Sequence, residues 1–86
     1  MKKTRASEAK NVIGERVRLA RLAIRPRVSQ EDLSGRLAAK GIQITQTGIS
    51  KLENLQRYVM DYEALAIARA LRVSVSWFYG ESKNVR

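Results

Sequence analysis

The sequence predicts an all-α domain of five short helices, and three observations carry that reading. Apolar residues recur at helical spacing in several segments, Ser, Thr and Asp stand where helix N-caps are needed, and no convincing strand pairing is present. The 86 residues suffice for one domain with a modest core and leave no room for a second. Apolar residues at 44 % and charged residues at 29 % suit a folded chain. Cys is absent, so neither a disulfide nor a thiolate zinc site supports the core, and helix packing must do so alone.

Residues 1–10 carry Lys2, Lys3, Arg5 and Lys10 with little to bury, and are expected to form a flexible basic arm. The domain proper is expected over 11–81, with 82–86 a polar tail. A first helix is expected from Asn11, where Ile13, Val17, Ala20 and Ile24 follow at intervals of four, three and four. Pro26 ends it, lacking a donor and pushing Arg25 out of helical geometry.

Ser29 is placed to cap the second helix, whose first turn holds Glu31 and Asp32 and whose inward face holds Leu33 and Leu37. Gly41 stops it, and Ile42, Gln43 and Ile44 alternate as an extended connector. Thr45 reads as the N-cap of a third helix through Asn54, with Asn54 expected to make the left-handed exit. After the loop Leu55 to Met60, Asp61 is expected to cap a fourth helix through Leu71, with Leu65, Ala68 and Leu71 facing inward. Ser74 caps a short fifth, in which Trp77 is the expected core residue among the consecutive aromatics Trp77, Phe78 and Tyr79.

Seventeen Lys and Arg against eight Asp and Glu give a formal charge of +9, which attracts a polyanion and lets counterion release drive binding. A merely solvated basic surface would have the same charge, so motifs must decide. No apolar run approaches the roughly 20 residues that span a bilayer, and a cytoplasmic protein without membrane contact is expected. The chain has no His, no Cys, no P-loop and no dinucleotide fingerprint, so neither an enzyme nor a cofactor or metal site is expected.

The third helix is the informative one. At about 100° per residue, Gln46, Thr47, Ser50, Lys51 and Asn54 fall on one side and Ile49 and Leu52 on the other. A helix that enters the major groove needs that division, an apolar stripe to seat it and donors and acceptors toward base edges. Gln46 suits a bidentate contact to adenine, Lys51 the guanine acceptors, and the Thr47 methyl a thymine methyl, with Ser50 completing the base-reading set. Two short helices joined by a connector, the second N-capped and starting with such groups, form a helix-turn-helix arrangement.

Four segments in order, Ile13-Gly14-Glu15-Arg16-Val17-Arg18, Ser29-Gln30-Glu31-Asp32-Leu33, Gly48-Ile49-Ser50-Lys51-Leu52-Glu53-Asn54 and Ala68-Arg69-Ala70-Leu71-Arg72-Val73-Ser74, span some four fifths of the chain. Together they resemble the phage repressor and Cro-like helix-turn-helix family, the xenobiotic-response-element type of transcriptional regulator. The resemblance implies a lambda-repressor-like five-helix domain whose second and third helices form the helix-turn-helix. It implies base reading by Gln46, Thr47 and Lys51, phosphate contacts from Gln30, Thr45, Asn54 and Arg57, and a structural salt bridge between Arg21 and Glu53. It further implies repression at a partly palindromic double-stranded operator by a homodimer, with Trp77, Phe78 and Tyr79 as the candidate dimer interface. An antitoxin that binds a protein partner and regulates its own operon is the alternative on the same fold. Three features depart from the family pattern: a Lys40–Ile44 connector about two residues longer than the usual tight turn, the Arg25-Pro26-Arg27 element before the second helix, and Leu55 where Gly often follows the third. Gly48 also lies inside that helix at a cost of about 1 kcal/mol relative to Ala.

Overall fold

The computed structural model describes residues 8–81. The expected tail, and most of the expected arm, lie outside the described residues. Helices α1 (Gly14–Ala23), α2 (Gln30–Ala39), α3 (Gln46–Glu53), α4 (Asp61–Leu71) and α5 (Val75–Phe78) follow in order, with no strand among the described residues.

Helix α1 starts at Gly14 rather than Asn11, because the Asn11 side chain is used outside the helix. Its Oδ1 accepts from the backbone of Ile13 and Gly14 at 3.1 and 2.8 Å, and its Nδ2 donates to the carbonyls of Leu52 and Arg57 at 3.1 and 2.8 Å. One side chain thus opens α1 and closes the end of α3. Lys10, expected in the arm, is tied to the fold: its N–H donates to the Leu55 carbonyl at 2.9 Å.

Ser29 caps α2 through a reciprocal pair: its Oγ accepts from Asp32 N at 2.9 Å, and Asp32 Oδ2 accepts from Ser29 N at 3.1 Å. Gly41 ends the helix at φ 81° while Ile42 N donates back to Leu37 O. The longer connector is tied down by Ser34, whose hydroxyl donates to Ile44 O at 2.6 Å, with Ile44 buried and Gln43 exposed. Thr45 caps α3, its Oγ1 accepting from Gly48 N at 3.1 Å.

The exit of α3 differs from expectation. Asn54 stays right-handed at φ −92° because its side chain donates to Ser50 O at 2.9 Å, and Leu55 takes the left-handed turn at φ 64°. That conformation costs a non-glycine residue roughly 1–2 kcal/mol, and it sends the Leu55 side chain against Gly14 of α1. Helix α4 is also closed differently. Asp61 is its first residue, Met60 occupies the cap position, and the Glu63 carboxylate accepts from Met60 N at 2.9 Å. Its inward face is Ala64, Ile67, Ala68 and Leu71, whereas Leu65 is exposed.

In α5, capped by Ser74 as expected, Phe78 rather than Trp77 is the core aromatic, with 1 % of its surface exposed. Trp77 is half-buried beneath Arg16, whose guanidinium lies 5.0 Å from the ring centroid and donates to Trp77 O at 2.7 Å. Tyr79 remains 48 % exposed, so the three aromatics do not share one surface. Of the four residues of α5 only Phe78 is fully buried, while Val75 and Trp77 pack against the edge of the core. It joins Ile13, Val17, Leu33, Leu37, Ile49, Leu52, Ile67 and Leu71 in one continuous apolar cluster.

At Gly14 the backbones of α1 and α3 come close, since an added Cβ would fall on the Leu52 carbonyl oxygen. Gly14→Ala should therefore lower stability by about 1–3 kcal/mol. Gly35→Ala, where a Cβ meets nothing within 4 Å in exposed α2, should raise it by about 0.5–1 kcal/mol. Urea denaturation of the two variants checks both signs.

Candidate nucleic-acid interface

The site is built outward from a buried ion pair. Arg21 near the end of α1 and Glu53 at the end of α3 are 8 % and 6 % exposed. Their contact is bidentate, Nε to Oε2 at 2.8 Å and Nη2 to Oε1 at 2.9 Å, and Arg21 Nη1 also donates to Val28 O at 3.0 Å. Glu53 Oε1 takes a further hydrogen bond from Gln30 Nε2 at 3.1 Å, and Gln30 Oε1 accepts from Gln46 Nε2 at 2.6 Å.

This chain has a direction. A carboxylate paired with a guanidinium can only accept, so Gln30 must turn its NH2 inward and its oxygen outward. Gln46 must then spend one N–H on Gln30. Its second N–H and its Oε1 remain, the donor and acceptor that an amide uses together on adenine N7 and N6. The relay spans the N-termini of α2 and α3, where the helix dipoles also favour an anion.

The structure leaves Thr45, Gln46, Thr47 and Lys51 exposed and buries Ile49 and Leu52, dividing the helix as the sequence predicts. The candidate residues divide between two recesses. Thr45, Thr47, Lys51 and Arg57 line a hollow of about 450 Å³ together with Lys10 and Tyr58. Gln30, Ser50 and Asn54 line another of about 660 Å³ with Arg18 and Leu19 of α1. Ser50 is therefore on the flank toward α1, apart from Thr47 and Lys51, and both Ser50 and Asn54 are half-buried.

Arg57 is engaged within the fold. Its Nη1 and Nη2 donate to the two carboxylate oxygens of Glu63 at 3.1 and 3.2 Å, and Nη1 also donates to Tyr58 O. Hydrogen bonding from Arg57 is the main cause that holds the Glu63 carboxyl below its ordinary value; burial opposes it, and the Met60 N–H assists. Asp32 is likewise lowered, chiefly by the Ser29 backbone N–H and then by the Ser29 hydroxyl.

Sequence reasoning missed two parts of this surface. Lys10, assigned to the arm, is fixed at the edge of the hollow with its Nζ 5.5 Å from the centroid of the Tyr58 ring, and Tyr58 is 68 % exposed. Asn11 carries a legible signal, an Asn just ahead of an apolar-periodic run, but its reach to α3 does not follow from local sequence. No cluster of potential metal ligands occurs among the described residues.

An exposed polar helix seated by its apolar face, with its N-terminus joined to that of the preceding helix, defines a helix-turn-helix DNA-binding domain. The sequence pattern of the helix-turn-helix family matches residues 27–78, from the entry to α2 through α5, and the chain belongs to that family, in its Cro/C1-type branch. It is accordingly a DNA-binding transcriptional regulator. No curated protein and no solved structure matches the chain. No helix among the described residues is long and apolar enough to cross a membrane.

Because Glu63 and Asp32 are depressed in the folded state, the stability they add is complete above the ordinary carboxylate pKa of about 4 and is lost as pH falls through the lowered values. Glu63→Gln should therefore show a smaller fall in thermal midpoint than wild type between about pH 7 and about pH 3, followed by circular dichroism.

Proposed function

We propose that the protein is a sequence-specific repressor that occupies a partly palindromic operator and blocks polymerase. The observation that carries this reading is the oriented Gln46 amide, held by Gln30 and ultimately by the buried Glu53 at the exposed start of α3. An amide held in one orientation presents one donor–acceptor pattern, which is what discrimination among base edges requires.

In this reading Gln46, Thr47 and Lys51 face the bases, and Ser50, on the flank toward α1, borders them. Gln30, Thr45, Asn54 and Arg57 take the flanking phosphates, and the Lys10 ammonium joins them on the Thr45 side. Pairing with Glu63 leaves Arg57 further donors and a fixed direction. The protein acts as a homodimer on DNA, in the cytoplasm and on the nucleoid, with half-sites about 34–36 Å apart. Phe78 is in the core, so Tyr79 and the open edge of Trp77 supply the aromatic part of the subunit contact.

Selection of bound sequences from a random DNA pool tests operator symmetry and half-site spacing directly; a single unrepeated site would overturn the dimeric reading. On the selected site, Gln46→Ala should cost about 1–3 kcal/mol and relax preference at one base pair, with little effect on random DNA. Equal losses on both DNAs would sink its base-reading role. Arg57→Ala should instead weaken both alike and reduce the salt slope by about one.

A further inference from the structure

A further positive surface stands apart from the hollows that flank α3. At the C-terminal ends of α1 and α4, Arg25, Arg36 and Arg72 surround a cleft of about 760 Å³ whose floor includes Ile24, Leu71 and Val73. A second recess, of about 400 Å³, shares Arg36 and Arg72 with it and adds Lys40 and Arg69. Neither has an acidic residue in its lining, and neither shares a lining residue with the hollows that flank α3.

The arginines are held but not neutralised. Arg25 Nη1 donates to Leu22 O at 2.9 Å and Arg36 Nη1 to Ala70 O at 3.0 Å, capping the carbonyl ends of α1 and α4. Each such contact uses one of the five N–H donors of a guanidinium. None of the three arginines has an ion-pair partner among the described residues. Asp32, one turn before Arg36, is committed to the Ser29 cap, and its attraction to Arg36 affects its carboxyl less than the Ser29 hydrogen bonds do.

We propose that this cleft is a docking site for an acidic segment of a partner protein that inserts an apolar side chain. Carboxylates pair with the guanidinium rim in the bidentate geometry that arginine favours, and an aliphatic group between them covers Ile24, Leu71 and Val73. Charge complementarity selects an acidic partner, and the apolar floor selects a peptide over a nucleic acid, because the sugar carbons of a nucleic-acid backbone lie between charged phosphates and cannot project into a recess as an aliphatic side chain does. The recognition surface stays separate, so the regulator can hold DNA and this partner together.

The test titrates the isotopically labelled full chain with a short peptide of alternating Glu and Leu, an all-Glu peptide of equal length, and a random DNA duplex, read by NMR. The Glu–Leu peptide should move the methyl signals of Ala23, Ile24, Leu71 and Val73 and bind about tenfold more tightly than the all-Glu peptide. Arg25→Glu and Arg72→Glu should each weaken it about tenfold. These two keep the test open if Arg36→Glu unfolds by losing its α4 cap. Operator affinity is measured on the same samples, so failure of DNA binding is read independently. Four results would overturn the proposal: no binding of the peptide, shifts confined to Thr47 and Lys51, equal affinity for the all-Glu peptide, or indifference to charge reversal. Movement of the same methyls by random DNA, abolished by Arg72→Glu, would equally overturn it and make the cleft a second phosphate site.

Discussion

The buried pair of Arg21 and Glu53 is the constraint on which the seating of α3 and the amide relay to its exposed start depend. Removing two charges from water is costly, and such a pair repays that cost only when its remaining donors and acceptors are also satisfied. Here Val28 O takes a guanidinium N–H and Gln30 donates to the carboxylate, so each charge has a partner beyond the pair itself. No buried side-chain polar atom among the described residues lacks a partner. The contribution is positional as much as energetic: the pair fixes the end of α3 against α1 and sets the polarity of every amide outward to Gln46. A neutral residue at position 53 could accept or donate, and the orientation of Gln30 would no longer be determined.

The two ends of α3 are secured by different physics. At its start, the Thr45 hydroxyl satisfies an amide that the helix cannot, a local effect. At its end, the helix closes through a strained left-handed Leu55, the Asn11 amide bridging to Leu52 and Arg57, and the contact between Leu55 and Gly14. That end is expensive locally and is maintained by packing, because burial of Leu52 and the close fit at Gly14 outweigh the backbone cost. The longer connector before α3 leaves the helix angle fixed through Ser34 and the buried Ile44, which replace a tighter turn with a side-chain tether.

Charge is distributed with a similar division. Beside α3, Lys51 is exposed while the Arg57 guanidinium is held in one direction by Glu63. At the C-terminal ends of α1 and α4, Arg25, Arg36 and Arg72 keep most of their hydrogen-bonding capacity. A formal charge of +9 is therefore more than a uniform coat for attracting DNA. Its arrangement gives the molecule two cationic surfaces of different chemistry, one polar throughout and one floored with aliphatic groups.

By itself the sequence determined what is local: the five helices and their order, the Ser29, Thr45 and Ser74 caps, the Gly41 stop, and the division of α3 into Gln46, Thr47 and Lys51 outside and Ile49 and Leu52 inside. These follow from periodicity and from hydrogen bonds closed within three or four residues. The family resemblance added the pairing of Arg21 with Glu53. Tertiary structure decided the rest. It chose Phe78 over Trp77 for the core, turned Leu65 outward, gave the left-handed exit to Leu55, spent Asn11 on α3, placed Ser50 on the flank and drew Arg57 to Glu63. Each of these outcomes depends on a contact whose partner belongs to another element or to the geometry of a packed interface. Residue type and spacing specify which groups can bond, but only the packed chain specifies which of them meet.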